Sequence, residues 1–240
     1  MENNSQRERI SKFYDGFSKY QKRTGANLRV QTIFKNLNKN ILDENSKVLE
    51  IGCGVGILTN FLSKIAHKGI VVATDISPKG IDEAKKFNSK HKNASFTVTD
   101  MSDFQSPNKF DLVVLADVLE HIPLEDHFNL FSTIQGHSHE STIIAVNIPS
   151  PYYIEWITKN KPEELQVIDQ PLYTNLLLDA IYKNSFYLYS LNTYSLSFNN
   201  GDYQWMIFKR KENIDNFNKI SKNKQRLYAI KLMLNQLLRF

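Results

Sequence analysis

The 240-residue sequence predicts an α/β fold with a doubly wound, largely parallel sheet, on three observations. Five short apolar runs alternate with helical patterns, the order that βαβ units impose. The first run leads into a turn with glycines at alternate positions, Gly52, Gly54 and Gly56. The last two β-rich runs flank Asn199-Asn200-Gly201-Asp202, which reads as an antiparallel hairpin, so the sheet ends without another crossover.

Taken in order, residues 1–45 read as helical. Ile10, Phe13, Tyr14 and Phe17 share one helical spacing and Leu28, Ile33, Phe34 and Leu37 another, with Thr24-Gly25 as the break. Strands are expected at 48–51, 70–74, 95–98, 110–116 and 142–148, with helices at 57–66, 78–88 and 126–135 between them. Pro78 suits a first helical turn. The uninterrupted "FDLVVLA" of 110–116 suits a strand buried on both faces. Residues 150–183 read as loop and helix, rich in Tyr, Pro and acids. The hairpin follows in 186–210, and 213–240 reads as an amphipathic helix with Leu227, Ile230, Leu234 and Leu238 on one face. The organisation expected is a helical cap (1–45), a core (46–211) with 149–184 as a substrate-side insertion, and a basic amphipathic C-terminal helix (212–240).

Composition narrows the class. Hydrophobic residues make up 41% and charged residues 23%, as in a globular protein with a real core. No run of about 18 apolar residues suggests a membrane span. The polar N-terminus and the single cysteine, Cys53, point to the cytoplasm. The net charge of +5 is uneven: from Lys209 onward nine Lys/Arg face two acids, which leaves −2 for the rest. The body of the protein therefore lacks the basic surface of a nucleic-acid binder. The basic, apolar-striped tail is expected to dock on the domain or on a homodimer partner.

The chemistry sits at strand ends. A glycine turn between strand and helix lets a ligand approach the backbone, and the helix terminus adds N–H groups. Dinucleotide sites use G-x-G-x-x-G, but here the third glycine comes one position early, and Glu50 precedes the first glycine. An acid there repels pyrophosphate and suits a cation such as the sulfonium and amine of S-adenosylmethionine. Cys53 stands where a small side chain is needed, which argues against a nucleophile. Three acids follow, each at a strand end. Asp75 is placed for ribose hydroxyls and Asp100 for an adenine amine with Met101 on the ring face. Asp117 lies at the switch point where such sheets bind ligands.

These motifs resemble the class I S-adenosylmethionine-dependent methyltransferases over residues 10–210. "VLEIGCGVGILT" matches the first family motif, "VVATDISPKGIDEAKK" the second, "FTVTDM" the third and "FDLVVLADVLEHI" the fourth. The resemblance implies a Rossmann-like seven-stranded sheet in the order 3-2-1-4-5-7-6 with strand 7 antiparallel. It implies S-adenosylmethionine as cofactor and S-adenosylhomocysteine as product. Cofactor contacts would fall on Glu50, Gly52, Cys53, Gly54, Asp75, Ile76, Asp100, Met101, Ala116 and Asp117. The stretch "FYDGFSKYQKRTGANLRVQTIF" resembles a subgroup associated with small-molecule or saccharide modification, which would bring Tyr14, Tyr20 and Arg29 over the cofactor.

For catalysis the candidates are His121, as general base for a hydroxyl acceptor, and Asp117 beside it. Neither Asp117/His121/Glu125/His127 nor the pair His137 and His139, read as lying in a loop, has metal-site spacing, so no metal is expected. Asn147, Tyr152, Tyr153, Trp156, Asp169 and Tyr173 are the candidates for the acceptor pocket. The acceptor expected is a sugar, sugar nucleotide or related surface-glycan precursor, with no nucleic acid. Alternatives are an RNA methyltransferase gripping phosphates with its tail, a nicotinamide-dependent dehydrogenase, and a non-catalytic relative. The glycine spacing and the lack of any Tyr-x-x-x-Lys pair oppose the dehydrogenase.

Overall fold

A computed structural model describes residues 9–16, 25–37, 41–211 and 219–237. Tyr20 and Leu238 lie outside these described residues. Residues 9–16 are helical (α1), and α2 spans Leu28–Leu37. The core then runs β1 (Lys47–Ile51), α3 (Ile57–Ile65), β2 (Ile70–Asp75), α4 (Pro78–Phe87), β3 (Ala94–Val98) and β4 (Phe110–Ala116). It continues with α5 (Leu124–Gly136), β5 (Ser138–Pro149), α6 (Pro151–Asn160), α7 (Thr174–Lys183), β6 (Phe186–Tyr194), β7 (Tyr203–Arg210) and α8 (Lys222–Leu237).

The seven strands lie in the order β3-β2-β1-β4-β5-β7-β6. All pairings from β3 to β5 are parallel, and β7 runs antiparallel to both β5 and β6. The period of two in the strands decides the two faces. Val48, Val71, Leu112, Val114, Ala145 and Ile207 pack against α2 and α3 through Ile33, Leu37, Leu58 and Leu62. Their neighbours Leu49, Val113, Leu115, Ile144, Val146 and Phe208 pack against α5 and α7 through Leu130, Phe131, Leu177 and Ile181.

Several boundaries differ from the sequence reading. β5 begins at Ser138, so His139 is a strand residue whose Nε2 lies 2.9 Å from Asp111 on β4. His137 is a capping and packing group: Nδ1 bonds the Thr133 carbonyl and Nε2 accepts from the Ser106 amide. β6 stops at Tyr194 because the carboxylate of Asp202 takes the amides of Leu196 and Ser197 and turns the chain there. α7 is a core helix on the sheet face, so only the first part of 149–184 lies over the sheet's carboxyl end. Among the described side chains of α8, Leu227, Ile230 and Leu234 are all more than half exposed. Among the described residues no helix is long and apolar enough to cross a membrane.

Candidate functional site

The carboxyl ends of β1, β2 and β4 open into one cavity of about 980 Å³, roofed by α1 and α2. The roof is fastened to the rim. Ser11 Oγ donates to the Ile76 carbonyl at 3.0 Å. Asp15 accepts from Ser77 Oγ at 2.7 Å and from the Lys79 amide at 3.1 Å. Through these bonds Asp15 also serves the N-terminus of α4, where a carboxylate is favoured.

The glycine turn is folded back on its own protein. Gly52, Gly54 and Gly56 all have left-handed φ, at 76°, 53° and 78°. The amides of Gly52 and Cys53 donate to the Thr74 carbonyl, and that of Gly54 donates to Asp75 Oδ2 at 2.7 Å. These N–H groups are therefore committed to β2 rather than held free for a ligand carboxylate. A Cβ on Gly52 would lie 2.2 Å from Val118 Cγ2, and one on Gly56 would lie 2.5 Å from Asn88 Nδ2. What the glycines permit is close approach of β1's end to the turns after β4 and α4.

Glu50 and Asp75 form the floor. Glu50 is 2% exposed and accepts from Thr59 Oγ1 at 2.6 Å. Burial pushes its carboxyl up to about 7, against the opposing pull of the Thr59 bond. Asp75 takes the Gly54 amide on one oxygen and the Ser77 amide on the other, and burial raises it as well. Glu50 therefore carries a stability signature. Its folded value lies above the ordinary 4.5, so its contribution is full below that pH and is lost as pH rises through about 7. The difference corresponds to roughly 3 kcal/mol. Thermal unfolding of the ligand-free protein is expected to move down between pH 5 and 8. The Glu50→Gln variant is expected to show a flatter profile, and an unchanged slope would refute the assignment.

Of the remaining predicted residues, Ile76, Asp100, Met101, Ala116, Cys53, Tyr14 and Arg29 line the cavity. Met101 has φ 73°, and its sulfur accepts from Thr74 Oγ1 at 3.5 Å. Gly54 is not part of the wall. Burial raises the Cys53 thiol, which keeps it protonated. Arg29 is half-buried at the rim and meets a strand-end acid of the site and not a surface acid. Its Nε lies 2.8 Å from Asp117 Oδ2, and Nη1 donates to Tyr203 Oη at 2.9 Å. Asp117, at φ 56°, also accepts from Asn147 Nδ2 at 2.8 Å. Asn147 in turn accepts from Tyr194 Oη at 2.6 Å and is fully buried. It is a strut beneath Asp117 and not a pocket residue.

Across the cavity stands His121. Its Nδ1 lies 2.9 Å from Asp169 Oδ1 and 2.6 Å from the Ile168 carbonyl, and Nε2 lies 3.7 Å from Glu120 Oε1. Burial lowers the imidazole, but the carboxylates of Glu120 and Asp169 outweigh it and raise it to about 9. Tyr14 stands edge-on to the ring at 5.9 Å. The segment over the sheet contributes Tyr153, Ile154, Ile157 and Asp169 to the wall. Tyr152, Trp156 and Tyr173 lie outside it: Tyr152 is 76% exposed, Trp156 packs on Phe198, and the Tyr173 hydroxyl bonds Glu155. The sequence reading missed Glu120, although it directly precedes His121 in "VLEHI", and it missed Tyr203, which no motif marks. His127 is a packing residue bonded to the carbonyls of Leu119 and Ile122. Among the described residues no group of three His, Cys, Asp or Glu could hold a metal ion.

Comparison with known proteins supplies a context. Residues 48–139 match the family profile described as "Methyltransferase domain". Nodulation protein S of Rhizobium tropici is 32% identical over 77 residues, 32% of each chain. The ubiquinone biosynthesis O-methyltransferase of Coxiella burnetii is 28% identical over 128 residues, 51% of this chain and 54% of that protein. The chain thus spans about half or less of the length of these curated relatives. Among solved structures, the magnesium protoporphyrin IX methyltransferase of Synechocystis PCC 6803, crystallised with S-adenosylhomocysteine, superposes with a TM-score of 0.66 at 18% identity. That match covers 85% of this chain and 99% of the other, and it establishes a shared fold.

Proposed function

We infer that this chain, whose residues 48–139 form a methyltransferase domain on the class I S-adenosylmethionine-dependent fold, transfers a methyl group from S-adenosylmethionine to a polar small molecule. One observation carries the reading: the strand-end carboxylates of Glu50, Asp75 and Asp100 share a cavity with a carboxylate-oriented histidine. The cavity fits the cofactor's chemistry. Its lining is rich in buried carboxylates and, among the described residues, includes no lysine, as suits a ligand with net positive charge. Bound there, the cofactor would supply an electrophilic methyl group on a sulfonium.

The residues of the chain do the rest. Asp75 and Asp100 orient ribose and adenine, and Glu50 faces the cationic end. α1 and α2, with Tyr14 and Arg29, cover the cavity and exclude water. Asp169 and the Ile168 carbonyl hold the Nδ1 hydrogen of His121, and Nε2 takes the acceptor's proton in the neutral ring, the form that grows as pH rises toward about 9. Binding of S-adenosylhomocysteine, measured by calorimetry, tests the cofactor, and binding of a nicotinamide dinucleotide in its place would overturn the reading. His121→Ala is expected to lower turnover about 100-fold or more while sparing cofactor affinity. Asp169→Asn removes a carboxylate that raises the imidazole, so the rising limb of the rate–pH profile is expected to move to lower pH. An unmoved limb would make Asp169 a packing residue.

Of the glycan-type acceptors, an uncharged or amino sugar suits this wall better than a nucleotide-linked one, whose phosphates would meet carboxylates. The RNA alternative finds support only in the exposed basic residues of α8, such as Lys224 and Arg226. The apolar residues exposed on that helix are our candidate for a dimer contact, which the mass of the protein in solution tests.

A further inference from the structure

The cavity has two unlike halves, divided by the order of the sheet. The carboxylates that the reading above gives to the cofactor stand at β1, β2 and the turn after β3, all on one side of β4. On the other side, at the ends of β5 and β7, the wall is largely apolar. Pro149 ends β5, Tyr153 and Ile157 come from α6, and Leu196 comes from the connection between β6 and β7. α2 adds Leu28 and Val30. None of these residues is fully buried, so each keeps surface to give to a ligand.

The charged groups that act on the Tyr153 hydroxyl are Asp202, Glu164, Arg29 and Lys161, and all of them have partners. Asp202 takes the amides of Leu196 and Ser197, Glu164 is paired with Lys161 at 2.6 Å, and Arg29 is paired with Asp117 at 2.8 Å. An ionised ligand group placed beside Tyr153 would lose water without gaining a free partner. The apolar surface also continues outward. The Tyr153 ring lies 6.1 Å from that of buried Tyr203 and 5.3 Å from that of Phe198, and Phe198 lies 4.9 Å from Trp156. Phe198 and Trp156 are 37% and 39% exposed, so the aromatic strip runs from the cavity wall to the outer surface. A contiguous apolar strip leading out of a cavity is the mark of a ligand groove.

We propose that the acceptor is amphiphilic: a polar head that takes the methyl group beside His121, and an uncharged aryl or alkyl substituent that lies along Pro149, Tyr153, Ile157 and Leu196 and leaves past Phe198. The proposal rests on the methyltransferase reading and concerns the part of the acceptor that is not methylated. The two chemistries of the wall assign the two ends. Carboxylates and an imidazole hydrogen-bond a head, whereas the α6 side stabilises a substituent by burial. A small polar metabolite would leave that side to water; an apolar substituent displaces the water.

The test is calorimetry on the full chain saturated with S-adenosylhomocysteine. Methyl, phenyl and octyl β-D-glucoside share one head and differ in substituent, and octyl glucoside is kept below its micelle-forming concentration. At least one of phenyl and octyl glucoside is expected to bind about 10- to 100-fold more tightly than methyl glucoside, the worth of burying one apolar group the size of a side chain. A larger gain for phenyl identifies a ring-bearing acceptor, and a larger gain for octyl identifies a chain. In Ile157→Asn and Leu196→Asn the preference is expected to fall toward unity, and a fall in either supports the placement. Because the readout is a ratio of affinities within one protein, it does not depend on the folded fraction. Equal affinities for the three glucosides, tighter binding of methyl glucoside, failure of all three to bind, or an unchanged ratio in both variants would each overturn the proposal. If the protein fails to take S-adenosylhomocysteine at all, the reading beneath falls and the proposal falls with it. If it takes the cofactor product but shows no preference for an apolar substituent, the proposal falls alone.

Discussion

Asp75→Ala is expected to weaken S-adenosylhomocysteine binding about 100-fold or more, the largest single effect on the cofactor. Two charge-assisted bonds to ribose hydroxyls are worth roughly 3 to 6 kcal/mol together, and each factor of ten in affinity is about 1.4 kcal/mol. The carboxylate has a second duty. Its oxygens hold the amides of Gly54 and Ser77, at 2.7 and 2.8 Å, and so shape the turns on either side of the pocket. Alanine leaves both amides without that partner, at about 1 to 3 kcal/mol each if they stay buried. Thermal unfolding should therefore be measured beside calorimetry. Asp75→Asn keeps the volume and one accepting oxygen and is expected to fall between wild type and alanine. Wild-type affinity in a folded Asp75→Ala protein would remove Asp75 from the cofactor site.

Gly52→Ala is expected to destabilise the protein by about 2 to 5 kcal/mol and to distort the pocket floor. Left-handed backbone at φ 76° costs an alanine about 1 to 2 kcal/mol. The added Cβ would meet Val118 Cγ2 at 2.2 Å and its Cβ and Cγ1 at 3.3 Å, overpacking worth about 1 to 3 kcal/mol. Val118 cannot swing clear, because it is β-branched and both γ carbons face the glycine. The double variant Gly52→Ala/Val118→Ala separates the two causes. It is expected to recover the steric part and to keep the backbone part. Denaturant unfolding reads both, and a single variant as stable as wild type would show that the contact is not tight in solution.

The strand-end acids were legible because a parallel α/β sheet sends every carboxyl end to one rim. Once 48–51, 70–74 and 110–116 read as strands, Glu50, Asp75 and Asp117 had to converge there. The hairpin was legible from its turn residues, and β7 lies antiparallel between β5 and β6 as expected. The acceptor wall was less legible. Tyr152 and Trp156 share a helical face four residues apart, but periodicity cannot say which face turns inward. In α6 it is the adjacent face, with Tyr153, Ile154 and Ile157, that reaches the cavity.

The chain's own pattern thus determined the order of elements, the crossing of glycine turn and acids at one rim, and the class of cofactor they suit. Local chemistry suffices there, since apolar periodicity and left-handed turns are properties of neighbours in sequence. Tertiary structure alone decided that Asp169 orients His121, that Arg29 is held by Asp117 and Tyr203, and that Glu120 is buried with an unpaired oxygen. The first two join side chains dozens of residues apart. The third follows from a packing in which burial and charge are set by the whole fold.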